Sequence, residues 1–175
     1  HLQSRLKKAS GNIFVVVESV YSMDGDFAHL TELMDLCKKF NTSLIVDEAH
    51  ATGIFGVKGE GKVVEMGIEK FVFARIHTFG KALGCHGAII LGNLFLRNYL
   101  INFSRAFIYT TALPFHSYLS IKTVYDKMSK INYNKLKIRY LISLFKDKIK
   151  YVDCELIHSL SPIQCIIIPG NKEVC

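Results

Sequence analysis

The sequence predicts an α/β fold in which helices pack on a mainly parallel β-sheet. Two apolar runs, at residues 13–17 and 43–46, have the β-branched and aromatic composition of strands. The first is continuous, which is typical of a strand buried on both faces of a parallel sheet. Between the two runs, apolar residues recur at helical spacing over residues 27–40. A strand, a helix and a strand in this order form a βαβ unit, whose strands lie parallel.

The other elements follow in chain order. Asp24-Gly25-Asp26 forms a turn before the first helix, and Asn41 ends that helix. Glycines make residues 53–61 a loop. Two further strands are predicted at residues 71–76 and 87–91, followed by a helix at 94–103. A basic helix is then predicted from Pro114 to about Ser129, with a break at 132–134 before another helix. A final strand is predicted at residues 163–168.

The predicted final strand is separated from the earlier strands by a long helical region. We therefore expect residues 1–150 to belong to a large domain and residues 151–175 to begin a small C-terminal domain. The chain contains neither an internal repeat nor a low-complexity segment.

Composition narrows the class of protein. The 175 residues are 50% apolar, and no run approaches the roughly 18 residues that a membrane-spanning helix requires. The start of the chain lacks the pattern of a signal peptide. Five cysteines, an odd number without C-x-x-C pairs, indicate reduced thiols and a cytoplasmic location, and they stand at positions 37, 85, 154, 165 and 175.

The net charge of +7 is concentrated between residues 122 and 150, where basic and apolar residues alternate. Such a pattern is typical of the solvated face of a helix. A basic face could instead attract an acidic carrier protein or the phosphates of coenzyme A. No recognised nucleic-acid motif accompanies the charge, so we expect no nucleic-acid partner.

An acid and a lysine each follow a predicted strand within a compact motif. Asp47 lies in LIVDEAH at residues 44–50, and Lys81 lies in HTFGKALG at residues 77–84. Open α/β sheets bind ligands at the carboxyl ends of their strands. Pyridoxal phosphate needs an amine for its aldehyde and an acid for its pyridinium nitrogen. The two motifs therefore predict a pyridoxal phosphate site.

A helicase-like alternative is excluded by details of the sequence. The letters DEAH after an apolar run also occur in the magnesium-binding box of one helicase group, and residues 56–62 fit the phosphate-loop pattern G-x-x-x-x-G-K. Here, however, Val63 replaces the hydroxyl residue that binds magnesium. No strand precedes Gly56, and the loop follows the acidic box when it should precede it.

Four motifs occur in a fixed order, at residues 18–26, 46–53, 78–81 and 108–111. With them the chain resembles the α-oxoamine synthases. These are fold-type I pyridoxal phosphate enzymes that condense an amino acid with an acyl thioester and release carbon dioxide. The resemblance implies an α/β/α sandwich around a mainly parallel sheet. It is closest over residues 1–128, and because family members are roughly twice as long, we expect the chain to be incomplete.

The resemblance implies roles for three catalytic residues. Lys81 would hold the cofactor through its aldehyde and then remove the Cα proton of the substrate. Asp47 would keep the ring nitrogen protonated, and His50 would lie near the phenolic oxygen. A metal site at His50 is not expected, because no further ligand stands nearby in the sequence.

The resemblance also assigns residues around the cofactor. Thr78 would reach the phosphate, while Ser22 and Glu18 would lie in the ring's surroundings, Ser22 near the phenolic oxygen. Thr110 or Thr111 would reach the phosphate of the partner subunit. The resemblance also implies that the aromatic residue that stacks on the ring, and the family's main glycine-bearing phosphate turn, lie in an amino-terminal half that the given sequence does not cover.

The implied reaction joins L-alanine to a pimeloyl thioester carried by coenzyme A or acyl carrier protein, in a homodimer. Family members that use glycine or serine remain alternatives at this point. A different class, a non-catalytic fragment that keeps a dimerisation surface, also remains open.

Overall fold

A four-stranded sheet organises the chain, and helices lie in the connections between its first three strands. The computed structural model describes residues 1–130, 135–168 and 170. In chain order its elements are α1 (Leu2–Leu6), β1 (Phe14–Glu18), α2 (Leu30–Lys39), β2 (Ser43–Asp47), α3 (Lys62–Glu65), β3 (Ala74–Thr78), β4 (Ala88–Gly92), α4 (Leu94–Phe103), α5 (Arg105–Ile108), α6 (Phe115–Lys130), α7 (Lys135–Ile149), β5 (Glu155–Leu156) and β6 (Ile166–Ile167).

The sheet has the order β1-β2-β3-β4 and is mainly parallel, as predicted. β1, β2 and β3 pair in parallel, and β4 runs antiparallel to β3. Glu18 lies opposite Asp47, and Thr78 lies opposite Ala88. The carboxyl ends of three parallel strands and the start of β4 therefore meet along one edge of the sheet.

Helix α2 packs on one face of this sheet. Its buried residues Leu30, Met34 and Cys37 recur at helical spacing and form a cluster with Leu44 and Val46 of β2. Successive residues of a strand point to opposite faces, so alternate positions of β2 enter this core. The βαβ unit predicted from the apolar pattern is confirmed.

The prediction that β1 is buried on both faces is wrong for the described residues. Val15 is buried in the α2 core, whereas Phe14 and Val16 are 52% and 61% exposed. Because successive residues of a strand point to opposite faces, these two side chains lie on the other face of the sheet. The described residues leave much of that face exposed to solvent at β1.

Several boundaries differ from the predictions for identifiable reasons. Helix α2, predicted from residue 27, begins at Leu30 because an antiparallel bridge between Val20 and Phe27 closes a loop before it. The third strand begins at Ala74 because a 3₁₀ turn at Glu69–Phe71 takes up its predicted start.

The carboxyl-terminal region was predicted less well. β6 is only two residues long and pairs with β5, which the apolar pattern did not reveal. β5 and β6 form a sheet separate from the main one, while the domain boundary at residue 150 stays a prediction.

The helices at Leu94–Phe103 and Phe115–Lys130 are confirmed. The break predicted at residues 132–134 lies outside the described residues.

Two further sequence expectations concern the cysteines and the membrane. The described cysteines carry free thiols, and Cys175 lies outside the described residues. Over residues 1–130, 135–168 and 170, the helices lack the length and hydrophobicity that crossing a membrane requires.

Glu48 is a fully buried carboxylate that holds the glycine loop to the sheet. It accepts hydrogen bonds from the amides of Lys62 and Val63, at 3.0 and 2.7 Å, and from Ser19 Oγ at 2.6 Å. These amides are at the start of α3, where the helix dipole favours negative charge. Burial raises the pKa of Glu48, and the three hydrogen bonds oppose that shift.

The same contacts explain why residues 56–62 do not form a phosphate loop. A Cβ added at Gly61 would lie 2.8 Å from the Glu48 carboxylate. The protein's own carboxylate therefore occupies the amide donors that a phosphate would need, which agrees with the exclusion made from the sequence.

Replacing Glu48 with Ala should destabilise the protein. Three donors would lose their acceptor in a buried place, and we expect the free energy of unfolding to fall by about 3 kcal/mol or more. Urea denaturation followed by circular dichroism measures this. Glu32→Ala, at an exposed position of α2, is the control and should change stability by less than about 0.5 kcal/mol. Equal effects of the two substitutions would contradict the assignment.

Candidate active site

The predicted site residues gather at the edge where the parallel strands end. Glu18, Asp47 and Thr78 are the last residues of β1, β2 and β3. Parallel pairing places Glu18 directly opposite Asp47. Because sheet ligands bind at carboxyl ends of strands, the sheet itself supplies the position of these three side chains.

Lys81 stands in the loop that connects β3 to β4. Backbone bonds close this loop, with Phe79 N donating to Gly87 O at 2.9 Å and Cys85 N donating to Phe79 O at 2.8 Å. The side chains of Phe79 and Leu83 are buried in a cluster on both sides of the lysine. Two buried anchors therefore hold Lys81, which itself is exposed.

Lys81 and His50 are in direct contact although 31 residues separate them. Lys81 Nζ lies 2.7 Å from His50 Nε2. His50 belongs to a turn after β2 in which the amides of Ala51 and Thr52 donate to the Glu48 carbonyl. The structure thus brings together the two motifs that the sequence analysis singled out.

The pKa of His50 lies below its ordinary value. Burial is the main cause, and the neighbouring Lys81 lowers it further, while Glu18 and Asp47 act in the opposite direction. A neutral imidazole can accept a hydrogen bond from the Lys81 ammonium. The arrangement therefore suits a hydrogen bond from Lys81 Nζ to a neutral His50 ring.

Asp47 is held in place through its backbone and its side chain. Its carbonyl accepts from Ser19 N at 2.8 Å, and its Oδ1 accepts from Ala49 N at 2.7 Å. The bond to Ser19 lies directly after the end of β1, and the bond to Ala49 fixes the turn that carries His50. The orientation of the carboxylate is therefore determined by local backbone geometry.

Ser22 and Glu18 form a second pair of predicted site residues. Ser22 N donates to Glu18 Oε2 at 2.9 Å, and Ser22 Oγ donates to Oε1 at 3.3 Å. Both oxygens of the carboxylate thus contact one residue of the loop after β1.

The three threonines differ in their surroundings. Thr78 Oγ1 is buried and lacks a hydrogen-bond partner among the described residues. Thr110 and Thr111 are both exposed, and Thr110 Oγ1 donates to Ala106 O at 2.5 Å. The structure does not bring Thr110 or Thr111 into contact with Lys81, and their predicted role toward a partner subunit stays a prediction.

His77 was not among the predicted site residues, and its contact with Thr52 was not predicted. Thr52 Oγ1 donates to Glu48 O at 2.7 Å, so it accepts from His77 Nδ1, also at 2.7 Å. Burial is the main reason that the pKa of His77 falls to about 4. His77 is therefore a neutral core residue next to Thr78. The alternation of side chains along β3 is the sequence signal that could have predicted the burial of His77.

The side chains at this edge fit pyridoxal phosphate. The edge offers an exposed amine at Lys81 for an aldehyde and a carboxylate at Asp47 for a ring nitrogen. The buried hydroxyl of Thr78 is a donor that a phosphate oxygen would satisfy. The donor set therefore matches the three polar parts of this cofactor.

Comparisons with known proteins point the same way. Residues 1–173 match the family model described as aminotransferase class I and II. A relative from Emericella nidulans named 8-amino-7-oxononanoate synthase is 45% identical over 148 residues, covering 81% of this chain and 36% of that protein. A relative from Aspergillus fumigatus named aminoacyl transferase sphA is 41% identical over 150 residues, covering 82% of this chain and 32% of that protein.

A solved structure supports the fold and the cofactor. It is a serine palmitoyltransferase variant from S. paucimobilis with bound PLP and myriocin. It superposes with a TM-score of 0.91 at 26% identity and covers 98% of this chain and 46% of that one. The chain thus spans about a third to a half of the length of the proteins it matches. It belongs to the aminotransferase class I and II family, within the α-oxoamine synthase group of pyridoxal phosphate enzymes.

Proposed function

We propose that the whole protein condenses L-alanine with a pimeloyl thioester, with loss of carbon dioxide, to form 8-amino-7-oxononanoate. The main observation in support is the 2.7 Å contact between Lys81 and His50, beside Asp47 at the sheet edge. The relative with the same activity in its name, at 45% identity, supports the choice of substrates.

Lys81 and Asp47 carry the central roles in this proposal. Bound pyridoxal phosphate supplies an electron sink for negative charge at the Cα carbon of the amino acid. Lys81 would hold the cofactor through its aldehyde carbon, and the freed Nζ would act as the base that accepts the Cα proton of the substrate. Asp47 holds the proton on the ring nitrogen, because a nearby carboxylate favours the charged form of that nitrogen.

The other predicted site residues would position the ring and the phosphate of the cofactor. His50, whose pKa is lowered, accepts a hydrogen bond from Lys81, and it would lie near the phenolic oxygen of the bound ring. Ser22 and Glu18 would complete the ring's surroundings, and Thr78 Oγ1 would donate to the phosphate. The buried position of that hydroxyl excludes competing water from the contact.

The proposal extends to the assembly and the acyl partner. We propose a cytoplasmic homodimer in which Thr110 or Thr111 reaches the phosphate of the partner subunit. The acyl group would arrive as a thioester of coenzyme A or acyl carrier protein, and both carriers are acidic. The basic helices α6 and α7, which contribute much of the net charge of +7, would attract them.

A second candidate is a sister reaction that uses serine or glycine. It is favoured by the likeness to the aminoacyl transferase and to the serine palmitoyltransferase. Lys81, Asp47 and His50 would keep the same roles in it, so the geometry described above does not distinguish the two candidates.

Borohydride reduction of the protein loaded with pyridoxal phosphate should fix a pyridoxyl group on the peptide that contains Lys81. Peptide mass spectrometry locates the label. Lys81→Ala should lose both labelling and turnover, whereas Lys58→Ala, at an exposed loop position, should keep both. Label on Lys58 or Lys62 in the unmodified protein would overturn the assignment.

The pKa of His50 should lie below 6.5, as measured by NMR of labelled histidine. Lys81→Ala should raise this pKa by removing a nearby cation, and Asp47→Asn should lower it by removing an anion. Turnover should fall as the pH drops through the pKa of His50, because the protonated ring cannot accept from Lys81. A pKa unaffected by Lys81→Ala would show that the contact is absent in solution.

Alanine with pimeloyl thioester should be preferred over the other substrate pairs. One methyl group in a pocket provides discrimination of about 10- to 200-fold, and we expect at least that preference in kcat/KM over glycine with acetyl or succinyl thioester. Carbon dioxide release, measured for each pair under the same conditions, provides the test, with serine and palmitoyl thioester as a third pair. A preference for serine or glycine would assign the protein to a sister reaction.

A further inference from the structure

The carboxyl-terminal segment at residues 155–168 contacts the loop that carries Ser22. Ser159 Oγ donates to the carbonyl of Gly25 at 2.8 Å, across 134 positions of sequence. Cys165 Sγ donates to the carbonyl of Met23 at 2.8 Å. Two carbonyls of one short loop thus accept hydrogen bonds from the same distant segment.

The hydroxyl groups of this contact are buried and fixed. Ser159 and Ser161 are 1% and 0% exposed. The single hydroxyl hydrogen of Ser159 is directed to Gly25, so its oxygen accepts from Ser161 N at 3.0 Å and from Ser161 Oγ at 3.0 Å. Gln164 Nε2 donates to the carbonyl of Ser161 at 2.7 Å. Rotation of Ser159 away from Gly25 would leave a buried carbonyl unsatisfied.

Gly25 is packed directly against this segment. A Cβ added at Gly25 would lie 2.6 Å from Ile163 O and 2.7 Å from the hydroxyls of Ser159 and Ser161. Its φ of +75° is also a conformation that favours glycine. Both the space and the backbone conformation therefore exclude a side chain there.

The loop transmits the position of Gly25 to Ser22. Tyr21 N donates to Asp26 O at 2.9 Å, and Gly25 N donates to Tyr21 O at 2.9 Å. These bonds close the loop, so a shift of Gly25 moves the adjoining Ser22. Ser22 in turn donates both its amide and its hydroxyl hydrogen to Glu18.

We propose that Ser159 and Ser161 are positioning residues of the cofactor pocket, which hold Ser22 and Glu18 in place through Gly25. The inference rests on the proposed function, since it takes Ser22 and Glu18 as parts of the pyridoxal phosphate site. It makes the carboxyl-terminal segment a structural component of that site, although none of its residues lies at the sheet edge.

A pair of glycine variants tests the contact. Gly25→Ala and Gly11→Ala introduce the same methyl group at similar φ values of +75° and +79°, but a Cβ at Gly11 would meet nothing within 4 Å. In the full-length apoprotein, Gly25→Ala should weaken pyridoxal phosphate binding by about tenfold or more, the equivalent of a lost buried hydrogen bond. Gly11→Ala should leave the Kd, measured by fluorescence titration, unchanged.

Ser159→Ala provides a milder test if Gly25→Ala fails to fold. It should raise hydrogen exchange at the amides of Ser22 and Gly25, a readout that needs no cofactor. It should also weaken cofactor binding several-fold. In a Ser22→Ala background the further loss of affinity should be smaller, because both substitutions act on the same contact.

The outcomes separate the two proposals. If Lys81 is labelled as expected but Ser159→Ala changes neither exchange nor affinity, the positioning role is overturned and the proposed function stands. If Lys81 is not labelled while exchange at Ser22 rises in Ser159→Ala, the loop contact is supported and the proposed function fails. Full additivity of Ser159→Ala and Ser22→Ala in the affinity would also overturn the positioning role.

Discussion

Parallel pairing of the first three strands is the constraint on which the site depends. The register sets Glu18 opposite Asp47 and brings Thr78 to the same edge of the sheet. A slip of one residue would turn every side chain of a strand to the opposite face. Burial of Leu44 and Val46 against α2 resists such a slip, because their exposure would lose the hydrophobic stabilisation of the core. The packing of apolar residues thus determines where the polar ones can act.

Adjacent acids at the end of β2 serve opposite purposes. Asp47 remains at the sheet edge, whereas Glu48 is fully buried and accepts three hydrogen bonds at the start of α3. A buried carboxylate is costly unless donors surround it, and the amides of a helix N-terminus supply them without further rearrangement. Glu48 thereby attaches residues 53–61 to the strand that carries Asp47.

Local patterns in the sequence were sufficient for much of the fold. The helix at Leu94–Phe103 and the parallel βαβ unit are confirmed, since apolar periodicity reports which face of an element is buried. The pattern failed at residues 71–73, which have the apolar composition of a strand although Phe71 ends a 3₁₀ turn and β3 begins only at Ala74. It also missed β5, whose two residues are too few to show alternation.

The sequence by itself determined the class of fold, the order of the elements and the two motifs at strand ends, because these depend on residues close together in the chain. Only the tertiary structure decided which side chains meet. Lys81 contacts His50 across 31 positions, and Ser159 contacts Gly25 across 134. Each of these contacts depends on the relative placement of distant segments, which the packing of the whole chain determines.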